Sequence, residues 1–290
     1  MSAAGAPLST LFLLDEAPLF GGTKVILRQA DLLHRAGHRV AVAVRGAAPD
    51  WYRPQAPLHS VAALDPRHLP TADLVVATYW TTIEPALAAA AERALHYCQG
   101  FEFDYTHNAG DHARIERLYA LPVPALVVSD HLAAELWRRF ARPARVVPQP
   151  LEPWFRPRPR LRPPASPRVL VCGPFEIDWK GVATALEAIR LLRARGWRGQ
   201  LVRLSQWPLT AEESRILPAD EFHCHLEPQA VSDLMRGCDL LLAPSWEQEG
   251  FGLPALEAMA RGCPVVGPDL SGRTGGRGSG RGVCSGSRRK

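Results

Sequence analysis

Apolar and polar positions fall into two alternating patterns along this chain. Short, nearly continuous apolar runs bounded by polar or glycine-bearing segments read as strands buried on both faces. Between them lie longer stretches whose apolar residues recur every three or four positions, as on one face of a helix. The first run is STLFLL, residues 9–14. After it come Gly21-Gly22, an amphipathic stretch over 23–35 with Val25, Ile26, Leu32 and Leu33 on its apolar face, a stop at Gly37, and a second run at 40–44. This predicts a βαβ unit with glycines at the first strand-to-helix turn. The alternation continues with strands at 74–77, 94–98 and 125–129 and helices at 84–93 and 130–140. His107 and His112 read as surface histidines of a polar loop, YTHNAGDH.

The second half repeats the scheme. Strands are predicted at 168–172, 200–204 and 221–226, with helices opening at Lys180-Gly181 and over 229–236. His223 and His225 alternate on the 221–226 run and read as a polar strand face rather than metal ligands. Residues 155–167 are rich in proline and arginine, which excludes a helix or a central strand. They read as an extended linker between an amino-terminal domain, 1–154, and a second domain, 168–270. Beyond Leu270 the pattern stops. The last stretch, SGRTGGRGSGRGVCSGSRRK, has almost nothing to bury and is expected to be disordered over 271–290.

Composition changes this picture little. Hydrophobic residues make up 47% and charged residues 22% of the 290, an ordinary globular balance. The formal charge of +5 could favour anionic lipid headgroups or nucleotide phosphates, but no nucleic-acid motif accompanies it, so nucleic acid is not expected as a partner. The six cysteines are scattered without zinc or C-x-x-C spacing and mostly sit in apolar runs, which fits a reducing compartment. The amino terminus lacks a basic leader and its apolar run is too short to span a bilayer. A cytoplasmic protein is expected, with peripheral contact at the inner face of a membrane left open.

The most informative stretch is residues 245–266, SWEQEGFGLPALEAMARGCPVV. An apolar run at 238–245 precedes it, a helix is predicted over 254–261 with proline in its first turn and Gly262 as its stop, and another buried strand follows at 264–266. Glu249 lies on the loop at a strand's carboxyl end, where ligands bind in open α/β sheets, and Glu257 lies in the first turns of the helix. Glycines allow close backbone approach, and a helix amino terminus attracts anions. Such a site suits a ligand with an anionic middle and hydroxylated ends. The plainer alternative has Glu249 capping the helix dipole and Glu257 solvated.

The whole string closely resembles the E-x7-E signature of family 4 retaining glycosyltransferases. That resemblance implies the α/β fold called GT-B: two Rossmann-like domains facing across a cleft, the second incomplete here because family members continue with a strand and a long crossing helix. An out-of-frame reading would account for the unusual tail. By position, Glu257 would bind the ribose, while Glu249 with Gly250, Phe251, Gly252 and Leu253 would hold the donor sugar. GGTKVILRQADLLHRAGHRVAV looks like the family's first loop and helix, which puts Gly21 and Gly22 near acceptor and donor phosphates. Gln99 stands where many members have a histidine, and Gln149-Pro150 replaces an Asn-Gly pair. Lys180 matches the lysine that binds donor phosphates; its alternative is a solvated lysine at a helix start. Gly173-Pro174 occupies the place where an arginine usually follows the strand's glycine.

The resemblance thus implies a hexosyltransferase moving sugar from a nucleotide-diphosphate sugar to a glycan, lipid or other acceptor, in cell-surface polysaccharide or glycoconjugate synthesis. The donor is a co-substrate, so no cofactor is expected. No Asp-x-Asp metal motif stands at a suitable place, so transfer is expected to be metal-independent. The competing expectations are a non-catalytic sugar-nucleotide-binding remnant and a GT-B epimerase or hydrolase.

Overall fold

The computed structural model describes residues 9–157, 166–268 and 283–286, the last four as backbone. The chain divides into two compact units, Met1–Pro148 and Gln149–Lys290.

The first unit is a seven-stranded parallel sheet in the order β3-β2-β1-β4-β5-β6-β7. Its elements are β1 (Ser9–Leu14), α1 (Gly21–Arg35), β2 (Arg39–Arg45), β3 (Leu58–Val61), β4 (Leu74–Ala77), α2 (Ile83–Ala90), β5 (Ala94–Cys98), α3 (His112–Tyr119), β6 (Ala125–Val127), α4 (Asp130–Phe140) and β7 (Ala144–Val146). The central strand β1 pairs with β2 and β4 on its two sides and buries Leu11 and Leu13 completely. That double burial is why the run carries no polar alternation. Three elements had no signal in the hydropathy pattern. β3 and β7 are half-exposed strands of three or four residues, and α3 rises out of the expected polar loop. It takes in His112 and buries Ile115, Leu118 and Tyr119. α1 starts at Gly21 rather than at Thr23, so both glycines belong to the helix instead of a separate turn.

The second unit holds β8 (Arg168–Cys172), α5 (Val182–Ala194), β9 (Gln200–Ser205), α6 (Ala211–Ile216), β10 (Glu221–Cys224), α7 (Pro228–Arg236), β11 (Leu240–Leu242), α8 (Leu253–Ala260), β12 (Val265–Pro268) and β13 (Val283–Gly286). These strands form a parallel sheet in the order β10-β9-β8-β11-β12-β13. Alternate residues of one strand serve opposite faces. Val169 and Val171 of β8 pack with Val182, Leu186 and Ile189 of α5, and Leu170 packs with Met235 of α7 and Ala255 and Ala258 of α8. The sheet is therefore covered on both sides, as a doubly wound fold requires.

Several boundaries differ from expectation. The division between units falls at Pro148–Gln149, and the expected linker does not begin at residue 155. Phe155 is 6% exposed inside the core of the second unit, with Leu151 and Trp154 packed against it. Proline forbids regular structure but does not stop an aromatic ring from anchoring an extended segment. β10 ends at Cys224, and His225 has φ of 55°, so His223 and His225 do not share a strand face. Where disorder was expected, Val283–Gly286 pairs with β12, Val265 opposite Val283. A ladder is made by main-chain groups and does not need large side chains. The rest of the tail, 271–282 and 287–290, and the linker residues 158–165 lie outside the described residues. Among the described residues no helix is long and apolar enough to cross a membrane.

Truncating Phe155 to Ala is expected to cost about 3–5 kcal/mol of stability, the usual range for a buried aromatic. Denaturant unfolding measures it, and a change below about 1 kcal/mol would return this residue to a free linker.

Candidate functional site

In each sheet the strand order reverses at one place, between β1 and β4 in the first unit and between β8 and β11 in the second. The loops at the carboxyl ends of these strands diverge there and leave a crevice where ligands bind in open α/β folds. In the second unit those loops carry Gly173 to Lys180 after β8 and Ala243 to Gly252 after β11.

The two loops are joined by an ion pair. The Lys180 ammonium donates to Glu249 Oε2 at 2.8 Å, the two side chains being 22% and 12% exposed. It also lies 4.3 Å from the centre of the buried Trp179 ring, a cation–π arrangement that holds its direction. Backbone contacts lock the same loops together. The Trp246 N–H donates to Trp179 O at 2.8 Å, and Gly181 presses on Pro244, whose carbonyl oxygen lies 2.5 Å from where a Cβ would stand. With φ of +68°, Gly181 suits glycine alone on both counts.

Glu249 has a second role. Its Oε1 accepts the N–H of Gly252 at 3.2 Å, and Gly252 is the left-handed N-cap of α8, with φ of 78°. The helix-capping alternative is thus realised together with the lysine pair, and the carboxylate ties the cation to the positive end of a helix. Pro254 stands in the first turn as expected, and Gly250, Phe251, Gly252 and Leu253 are all buried around it. Glu257 is not a solvated helix residue: it is 4% exposed, on the same face as Leu253, and its charge acts on Cys172 at the end of β8. Burial, with Glu257 adding to it, pushes the Cys172 thiol well above its ordinary range. Lys180, Glu249, Glu257 and Gly173 therefore gather at one edge of one sheet, although 84 residues separate the first from the last in sequence.

In the first unit, Gln99 Nε2 donates to Gly22 O at 3.2 Å. The three residues singled out there, Gly21, Gly22 and Gln99, thus come together across the loops after β1 and β5. A Cβ on Gly22 would sit 3.4 Å from that amide nitrogen. Close approach, rather than an unusual backbone angle, is what glycine provides here. Glu102 lies just beyond, buried, its Oε2 accepting the Trp80 N–H at 2.9 Å and the Tyr119 hydroxyl at 3.1 Å. Thr81 in turn donates to Asp15 at 2.9 Å. The loops after β1, β4 and β5 are in this way laced to one another. His112 stacks on Phe103, and the His107 ring lies 5.4 Å from that of Tyr105.

Residues 166–281 match the family model described as glycosyl transferases group 1. The match lies wholly within the second unit. No curated protein matches the chain, but solved structures do. HepE of Anabaena, crystallised with UDP-glucose, is 16% identical with a TM-score of 0.70, covering 92% of this chain and 82% of its own. WaaG, described as a glycosyltransferase involved in lipopolysaccharide biosynthesis, is 18% identical at a TM-score of 0.62, with coverage of 92% and 83%. The N-terminal domain of Candida albicans trehalose-6-phosphate phosphatase is 9% identical at 0.64, covering 93% and 86%. Identities this low establish the fold, which is that of the GT-B glycosyltransferases.

Within the second unit the hydropathy pattern missed two participants. Trp179 was passed over as part of a turn. Arg203 is a lone cation inside the apolar run LVRLS, and its 0% exposure requires a buried partner, supplied by Glu213. An isolated charge in a two-faced strand was the available signal. In the first unit Glu102, in the turn after β5, had no signal in the hydropathy pattern.

Burial pushes the Glu102 carboxyl up to about 8, against its two hydrogen bonds, so it is protonated through neutral pH. The unfolded chain releases that proton near the ordinary value of 4.5. Between these values the folded state holds the extra proton, so Glu102 makes stability fall as pH rises, the fall being complete above about 8. Glu102→Gln keeps the acceptor and has no proton to lose. Its Tm relative to the parent is expected to climb between pH 5 and pH 8, and a constant difference contradicts the assignment.

Proposed function

We propose that the chain is a retaining glycosyltransferase that moves a sugar from a nucleotide-diphosphate sugar, held by the second unit, to a glycan or lipid acceptor held by the first. The observation that supports this reading most directly is the pairing of Lys180 with a carboxylate at the amino terminus of α8. A cation and a helix N-terminus at one strand edge form an anion site, and Glu249 bridges the two. An incoming diphosphate offers Lys180 a stronger partner and frees Glu249 to accept hydrogen bonds from the donor sugar.

The chemistry follows from charge. As the anomeric C–O bond breaks, negative charge grows on the departing diphosphate. The Lys180 ammonium and the backbone N–H groups of residues 250–253 are placed to stabilise it before the reaction begins. Glu257, fixed inside the fold by its helix, accepts the ribose hydroxyls and sets the register of the donor. With this cationic charge supplied by the protein, transfer proceeds without a metal. HepE was crystallised with UDP-glucose, so a UDP-sugar is the first donor to test, ahead of GDP- and dTDP-sugars. A role in building cell-surface polysaccharide or glycoconjugate fits an acceptor of this class, and peripheral contact with the inner face of a membrane fits a lipid-linked one.

A thermal-shift screen of nucleotide sugars is expected to raise Tm with one base, because a ligand that binds only the folded state stabilises it. Glu257→Ala is expected to abolish that shift and to lower sugar transfer by about a hundredfold or more. A chelator is expected to leave transfer unchanged. Release of free sugar without transfer to any acceptor would favour a hydrolase, and wild-type activity in Glu257→Ala would remove the proposal.

A further inference from the structure

Arg203 is the largest fully buried side chain of the protein among the described residues, in the middle of β9. Its guanidinium is almost saturated. Nε donates to Glu213 Oε1 at 2.5 Å, Nη1 to Val171 O at 2.6 Å and to Leu204 O at 3.3 Å, and Nη2 to Gly173 O at 2.9 Å. Glu213 is itself buried on α6, held by the Thr210 hydroxyl, which accepts its N–H at 3.1 Å. Replacing a buried ion pair by apolar residues is often neutral or stabilising, so stability alone is a weak reason to keep one. What this pair does is grip a turn.

Gly173 is the residue gripped. Its N–H donates to Leu204 O at 2.9 Å, so both sides of it are fixed from β9, and its φ is +115°. The stem of Lys180 lies against it: a Cβ on Gly173 would stand 3.5 Å from Lys180 Cγ and 3.6 Å from its Cβ and Cδ. Contact therefore runs from Glu213 through Arg203 and Gly173 to Lys180, and from there to Glu249.

We propose that Arg203 is a positioning residue for the anion side of the donor site. It never touches the donor, being wholly buried. Its planar fork sets the Gly173 carbonyl, which sets the seat of the Lys180 side chain. The proposal rests on the donor reading of that site.

The test is the double variant Arg203→Met with Glu213→Leu, which removes both charges and leaves the volume apolar. It is expected to melt within a few degrees of the parent. Amide exchange over residues 172–181 should accelerate about tenfold or more while α7 and α8 keep their protection. The Tm shift produced by UDP should fall by about half or more. Should the double variant not fold, Arg203→Lys gives the same two readouts, since one ammonium cannot hold Glu213 and both carbonyls. Unchanged exchange over 172–181 overturns the proposal, as does an unchanged UDP shift beside a measurable one in the parent. If the parent itself shows no UDP shift, the UDP reading fails while the exchange result still decides the role of Arg203.

Discussion

The second unit holds one lysine aimed at the carboxyl ends of its strands. Lys180 meets three constraints there: an aromatic face beneath it, a glycine turn against its stem, and the Glu249 carboxylate at its tip. Partial burial makes each matter, because a charge partly removed from water is costly without a partner. The carboxylate at its tip also caps α8. One interaction thus joins the loop after β8 to the helix after β11, and the proposed donor site is the place where those two meet.

The first unit joins its loops with hydrogen bonds. Its loops after β1, β4 and β5 are laced by Gln99 on Gly22, Glu102 on Trp80 and Tyr119, and Thr81 on Asp15. The proposed acceptor side is thus fixed by hydrogen bonds among its loops, whereas the proposed donor side carries a lysine–carboxylate pair. The same doubly wound frame therefore carries two chemistries, decided by a few loop residues rather than by the fold.

Much of this was legible in the sequence, for a physical reason. Strands buried on both faces must be apolar throughout, so β1, β4, β5 and β8 stood out with their observed bounds. The turn and helix within 245–266 were legible because glycine and proline each have a distinct local task there. What stayed hidden was set by tertiary context. β3 is a short edge strand whose pairing partner, not its own residues, makes it a strand. α3 lies under a polar string because only three of its residues turn inward. Phe155 anchors a proline-rich segment to a core that local pattern cannot reveal. The pairing of Lys180 with Glu249 spans three crossovers, and no spacing rule connects them.

The most direct measurement is a crystal structure of the full chain with a nucleotide-diphosphate sugar. The account predicts the diphosphate oxygens within hydrogen-bonding distance of Lys180 Nζ at the amino end of α8, with the ribose hydroxyls on Glu257 and Glu249 turned from the lysine to the sugar. A nucleotide bound elsewhere, with Lys180 and Glu249 still clasped to each other, would contradict it.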